Sequence, residues 1–219
     1  MDTLYYSPGA CSLAVHIVLE EIGRPFETVR VPIPEGAHRR PEYLAINPRA
    51  RVPALRTEGT VITEVGAILS YLADRERTSG APTLAPAPGT LARARFQEWL
   101  SWLSSSVHIA FAQIWRGERF SDDASVHGTI AETGRRTVRA FYREIDTRLE
   151  TVAKVTGHPH ALEEGSSAVD PYLTVFYRWG HRIGEPMEGY RSLERLAHEV
   201  AARPAAKRAL ARENVTLTT

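Results

Sequence analysis

The chain has 219 residues, 43% of them hydrophobic and 24% charged, with a net charge of +1. That composition supports a sizeable core in one or two domains and gives no electrostatic case for nucleic acid or an anionic membrane as partner. No apolar run approaches about 18 residues, which excludes a helical membrane span, and a single cysteine excludes an internal disulfide, a C-x-x-C motif and a cysteine-rich zinc site. No basic segment followed by an apolar core opens the chain, so no secretory signal is expected. The lone thiol fits a reducing cytosol.

A first strand is expected over Thr3-Leu4-Tyr5-Tyr6, with Tyr5 and Tyr6 on opposite faces. Ser7-Pro8-Gly9-Ala10 then turns the chain into Cys11 and a helix. Ser12 is its expected cap, and Leu13, Ala14, Ile17, Val18 and Ile22 recur at helical spacing. A thiol at such a turn faces free N–H groups and the positive end of the helix. Both favour a thiolate, so Cys11 is expected to titrate below the free value of about 8.5. The plainer alternative is a small buried hydrophobe.

Glu27–Val31 reads as a second strand, Val52–Arg56 as a third and Val61-Ile62 as a fourth, the last two joined at Glu58-Gly59 as a hairpin. From Glu64 the pattern turns helical, with Val65, Ile68, Leu69, Leu72 and Ala73 on one face. Glu64 itself suits a first helical turn, where its charge offsets the dipole. The order is βαβ, a loop, then ββα, a small α/β domain over residues 1–77. Residues 78–89, rich in Pro, Gly and Ala, read as a linker.

Residues 90–219 are helical in pattern. One helix is expected over 90–116, carrying Phe96, Leu100, Leu103, Val107, Ala110 and Ile114, and a second over 124–154. Ser167-Ala168-Val169-Asp170 has the form of a capping box before a third, a fourth runs from Tyr190 to a stop at Pro204, and Ala205–Glu213 closes the series. His108, Ile109, Trp115 and Arg116 lie on the first of these helices.

Five segments carry a resemblance: LYYSPGACSLAVHIVLEEIG (4–23), YLAINPRARVPAL (43–55), TEVGAILSYLAD (63–74), SSAVDPYL (166–173) and ARPAAKRALARE (202–213). In order and content the chain resembles the cytosolic glutathione S-transferases, most closely their bacterial beta class. The resemblance implies an α/β thioredoxin-like N-terminal domain followed by an all-α helical bundle. It also implies a cytoplasmic homodimer, with glutathione as cosubstrate and no metal. Cys11, Ser12 and Tyr6 would be the catalytic groups around the glutathione sulfur. Arg51, Val52, Pro53 in a cis peptide, Glu64, Val65 and His108 would bind glutathione: Val52 by its backbone, Glu64 at the γ-glutamyl ammonium, the Val65 N–H at the γ-glutamyl carboxylate. A trans proline on an edge strand is the alternative at Pro53. Ala10, Ile109, Trp115 and Arg116 would line a pocket for a small hydrophobic electrophile. Two departures stand out: Val65 replaces the usual Ser or Gly, and Ile109 a common Lys. The reaction implied is conjugation of the glutathione thiolate to an electrophilic carbon. Thiol–disulfide reduction at Cys11, or non-catalytic ligand binding on the same fold, are the rivals.

Overall fold

The computed structural model describes residues 1–75 and 83–218. Its first part runs β1 (Asp2–Tyr6), α1 (Ser12–Ile22), β2 (Phe26–Arg30), α2 (Pro41–Leu44), β3 (Ala54–Thr57), β4 (Thr60–Thr63) and α3 (Val65–Arg75). The sheet order is β2-β1-β3-β4, with β1 parallel to β2 and β3 antiparallel to both β1 and β4. This is the expected thioredoxin-like arrangement. Glu58 and Gly59 both take positive φ, 48° and 78°, as a two-residue hairpin turn matched to strand twist requires. β3 starts at Ala54 rather than Val52, because Pro53 has no N–H to give a ladder. α2 was expected as loop. It is one short turn with Pro41 at its start, too brief to show a period.

Then follow α4 (Leu91–Trp102), α5 (His108–Trp115), α6 (His127–Thr156), α7 (Val169–Arg182), α8 (Arg191–Ala202) and α9 (Pro204–Glu213). The single helix expected over 90–116 is interrupted by a π-helical turn, Leu103–Val107, where the His108 N–H bonds the Leu103 carbonyl five residues back. Such turns concentrate at functional sites, and this one sets the direction of His108. Of the expected linker, residues 78–82 lie outside the described residues. Further along it, Leu84 and Ala85 are buried, and the Leu84 carbonyl accepts from Ala168 N at 2.8 Å.

α1 was expected to be amphipathic, yet every residue from Ser12 to Glu20 is buried. The sheet covers one side while α7 and α9 pack on the other, so its polar positions need internal partners. Each fully buried Leu13 or Ile17 is worth about 1.5–3 kcal/mol, so α1 is the keel of the fold. At the start of α7 the Asp170 carboxylate accepts from Ala161 N (3.0 Å) and Ser167 N (3.1 Å). That is the expected capping element, and it fixes α7 against the chain that precedes it.

Candidate functional site

Cys11 ends the turn between β1 and α1, and three parts of the chain shape that turn. Gly9, at φ 65°, donates its N–H to Glu213 Oε2 (2.7 Å) from α9. Its carbonyl accepts from Arg178 Nη1 (3.1 Å) and Trp179 Nε1 (2.9 Å) on α7. A Cβ there would fall on the Arg178 guanidinium, so only glycine fits both the backbone and the space. Glu213 Oε1 in turn meets His16 Nδ1 at 2.9 Å, both side chains fully buried.

The Cys11 thiol departs from expectation. It is 5% exposed and donates to the Val52 carbonyl at 3.3 Å. Burial pushes it up to about 12; the N–H groups of Cys11 and Ser12 pull the other way and lose, with Glu64 adding to the rise. At pH 7–8 it is a neutral thiol. Ser12 is not the cap but the first helical residue, and Cys11 holds the cap position. The Ser12 hydroxyl accepts from Ser7 N and donates to Ser7 O, both at 3.2 Å, so its proton is already committed inside the turn. Tyr6 packs on the α1 side with its ring 5.6 Å from His16, and its hydroxyl is pushed up by burial and by Glu213. Tyr5 lies on the opposite face with Tyr43, Val52 and Ala54.

The second edge of the site is the loop into β3. The Val52–Pro53 peptide is cis, as the resemblance implied. Tyr43 Oη (2.6 Å) and Asn47 Nδ2 (2.7 Å) both donate to the Arg51 carbonyl and fix this loop. Among the described residues the Val52 N–H has no partner in the chain. It is a backbone donor left in the extended loop that enters β3, and an extended peptide can pair there. Arg51 is exposed.

Glu64 precedes α3 with φ 71°, exposed, its side chain without a partner among the described residues. A non-glycine residue held there costs about 1–3 kcal/mol, and such strain gathers at functional positions. Its carbonyl accepts from Ile68 N. The Val65, Gly66 and Ala67 N–H groups begin α3 with no partner among the described residues, which makes a site for a carboxylate.

The facing wall is aromatic. Trp179, which holds Gly9, has the His108 ring at 5.1 Å and the Trp115 ring at 5.1 Å. Phe111 sits 5.2 Å from both Trp115 and Trp179. His108 Nδ1 lies 3.5 Å from Tyr172 Oη. Burial pushes it down to about 4, with the Arg119 and Arg51 charges adding to the fall, so it is neutral at physiological pH. Ile109 and Trp115 are half-buried, Arg116 is exposed, and Ala10 follows Gly9 in the turn before Cys11. Of the four residues expected to line an electrophile pocket, Ala10 lies in that turn, and Ile109, Trp115 and Arg116 lie on or directly after α5. Among the described residues no three His, Cys, Asp or Glu side chains gather as a metal site, and no helix is long and apolar enough to cross a membrane.

Comparison with known proteins bears on the family and the fold. The N-terminal domain model of the glutathione S-transferases matches residues 9–75. Glutathione S-transferase GstA of Escherichia coli O157:H7 is 31% identical over 97% of this chain and 98% of its own. The chain belongs to the glutathione S-transferase family. A crystal structure of a glutathione transferase homologue from Sulfitobacter, with bound glutathione, superposes with a TM-score of 0.87 at 32% identity, covering 99% of each chain. A bacterial beta-class glutathione S-transferase from Sphingomonas chungbukensis gives 0.82 at 33% identity, over 98% of this chain and 100% of its own.

Several residues that build this glutathione S-transferase site escaped sequence reasoning: Tyr43 and Asn47 behind Arg51, Arg178, Trp179 and Glu213 around Gly9, and Tyr172 beside His108. Asn47-Pro48 was a readable turn signal. The others act across the fold and leave no local pattern. The Cys11 environment carries a direct test. Alkylation by iodoacetamide should be slow at pH 8 and rise only well above the free-thiol range, toward the folded value of about 12. The sign follows from burial: the folded pKa is raised, so this stabilising contribution holds below the unfolded value of about 8.5 and fades as pH climbs through the folded one. An alkylation midpoint below 8.5 would restore the activated thiolate.

Proposed function

We propose that this protein conjugates the thiolate of glutathione to small electrophiles, as a cytoplasmic homodimeric transferase of the bacterial beta type. Residues 1–77 form its glutathione-binding domain, and residues 90–219 carry the electrophile pocket. The observation that carries the reading is the Val52 N–H, unpartnered among the described residues, on a loop whose Val52 carbonyl accepts from the Cys11 thiol. The cysteinyl segment of glutathione pairs with the Val52 backbone. The γ-glutamyl carboxylate sits on the α3 N–H groups, its ammonium on Glu64, and the glycyl carboxylate on Arg51.

This geometry puts the glutathione sulfur beside Cys11. The N–H groups of Cys11 and Ser12 already bear on the neighbouring thiol, and there they stabilise the glutathione thiolate. Cys11 contributes its backbone N–H, its S–H being engaged by the Val52 carbonyl. The thiol proton leaves to solvent, the sulfur attacks the electrophilic carbon, and the leaving group departs with its electron pair. Disulfide reduction at Cys11 is disfavoured, because exchange needs the thiolate and burial suppresses it.

Calorimetric titration of reduced glutathione tests the site. One saturable site per chain is expected. No heat at millimolar glutathione would remove the reading. Tight binding without turnover of any electrophile would leave a ligand-binding protein.

A further inference from the structure

The residues that follow α9 reach the Cys11 turn through one arginine. Asn214 caps α9 at φ 54°, and the Val215 N–H bonds the Leu210 carbonyl at 3.1 Å. Val215 and Leu217 then pack, partly buried, against the core. Between them Thr216 is exposed, and its carbonyl accepts from Arg178 Nε at 2.8 Å. Arg178 is 5% exposed, and its Nη1 donates to the Gly9 carbonyl at 3.1 Å. A single guanidinium thus joins the segment after α9 to the turn that leads into Cys11. Gly9 needs such a hold. Its φ of 65° is one that glycine takes freely, and the same freedom lets a glycine peptide rotate. The Gly9–Ala10 peptide is fixed at its N–H by the Ser7 carbonyl (3.0 Å) and at its carbonyl by Arg178 and Trp179. Rotating it would swing the Cys11 N–H that comes next. A guanidinium is planar, so engaging one N–H aims the others. The Thr216 carbonyl therefore orients the group that holds Gly9, and a buried cation stripped of that acceptor is driven toward another partner.

We propose that residues 215–218 are a strap that sets glutathione affinity from outside the cleft. Thr216 orients Arg178, and Arg178 is a positioning residue that holds the Gly9 turn so that the Cys11 and Ser12 N–H groups face the glutathione sulfur. The proposal rests on the glutathione site described above. The strap acts through Arg178 and not on the tripeptide.

The test is glutathione calorimetry on the full-length chain, each variant being measured well below its own unfolding midpoint. Val215→Asp/Leu217→Asp puts charge on the packed residues of the strap and releases it. Arg178→Met keeps the aliphatic stem and loses the bonds. Each should weaken glutathione binding about tenfold, as the loss of a hydrogen bond to a charged group does. Arg178→Lys should lose less than Arg178→Met. With Arg178→Met in place, releasing the strap should weaken binding no further, because the strap works through that side chain. Glutathione affinity unchanged in the strap variant overturns the proposal. So do strap and Arg178 losses that simply multiply, since a strap that only stabilises the fold would act independently. If Arg178→Met does not fold, the same cycle on Arg178→Lys decides, and the strap effect should shrink there. If the wild-type chain binds no glutathione, the transferase reading falls and this proposal with it.

Discussion

Glu213→Ala should cost about 3–5 kcal/mol of folding free energy, the range for removing one partner of a buried hydrogen-bonded pair. Both carboxylate oxygens are committed: Oε1 to His16 and Oε2 to the Gly9 N–H. Both side chains are fully buried, and His16 Nε2 lacks a partner among the described residues. Removing the carboxylate strands two further buried groups at about 1–3 kcal/mol each. Glu213→Gln keeps the shape and one acceptor and should lose roughly half as much. Urea unfolding with an unchanged m-value is the measurement. A loss under about 1 kcal/mol for the alanine variant would mean that water or a neighbour takes over the carboxylate's role. The same substitution frees Gly9 on one side, so surviving protein should bind glutathione more weakly. This C-terminal helix is therefore part of the site's foundation, although it contributes no atom to the cleft.

The parts of the fold legible in the sequence are those written in short-range chemistry. Leu4 to Tyr6, the spacing of Leu13 and Ile17, the Glu58-Gly59 turn and the face Val65, Ile68, Leu69 and Leu72 each specify an element within a dozen residues. What was illegible depends on distant neighbours. The groups that grip Gly9 lie 169, 170 and 204 residues away. α1 reads as amphipathic because nothing local says that a second layer covers its outer side. The Cys11 prediction failed for the same reason. Its helix end is visible in the sequence and pulls as expected, but the desolvation that outweighs it comes from burial in the folded chain, where the thiol meets the Val52 carbonyl 41 residues away. The π-helical turn ahead of His108 also hides, because 3- and 4-residue steps run through it unbroken. By contrast, the cis Val52–Pro53 peptide and the start of α3 at Val65 match expectation, since each is a matter of backbone conformation close to a short motif.

Glu64→Gly should separate stability from binding. At φ 71° the wild-type side chain pays a backbone penalty and, among the described residues, makes no contact that returns it. Glycine takes this conformation freely, although its looser unfolded chain gives part of the gain back. Stability should therefore stay level or rise by up to about 1 kcal/mol. Glutathione affinity should fall about 10- to 100-fold, since a hydrogen bond to a charged group contributes about 1.5–3 kcal/mol. Glu64→Gln keeps the backbone penalty and loses the charge, so it should lose affinity without gaining stability. Urea unfolding and glutathione calorimetry on the same preparations give both quantities. Unchanged affinity in both variants would put the ammonium site elsewhere. A marked loss of stability in the glycine variant would show that the Glu64 conformation is not strained. A glutamate held at a glycine-favouring position, with no side-chain partner among the described residues, is what the proposed ammonium site requires, and these two variants test it.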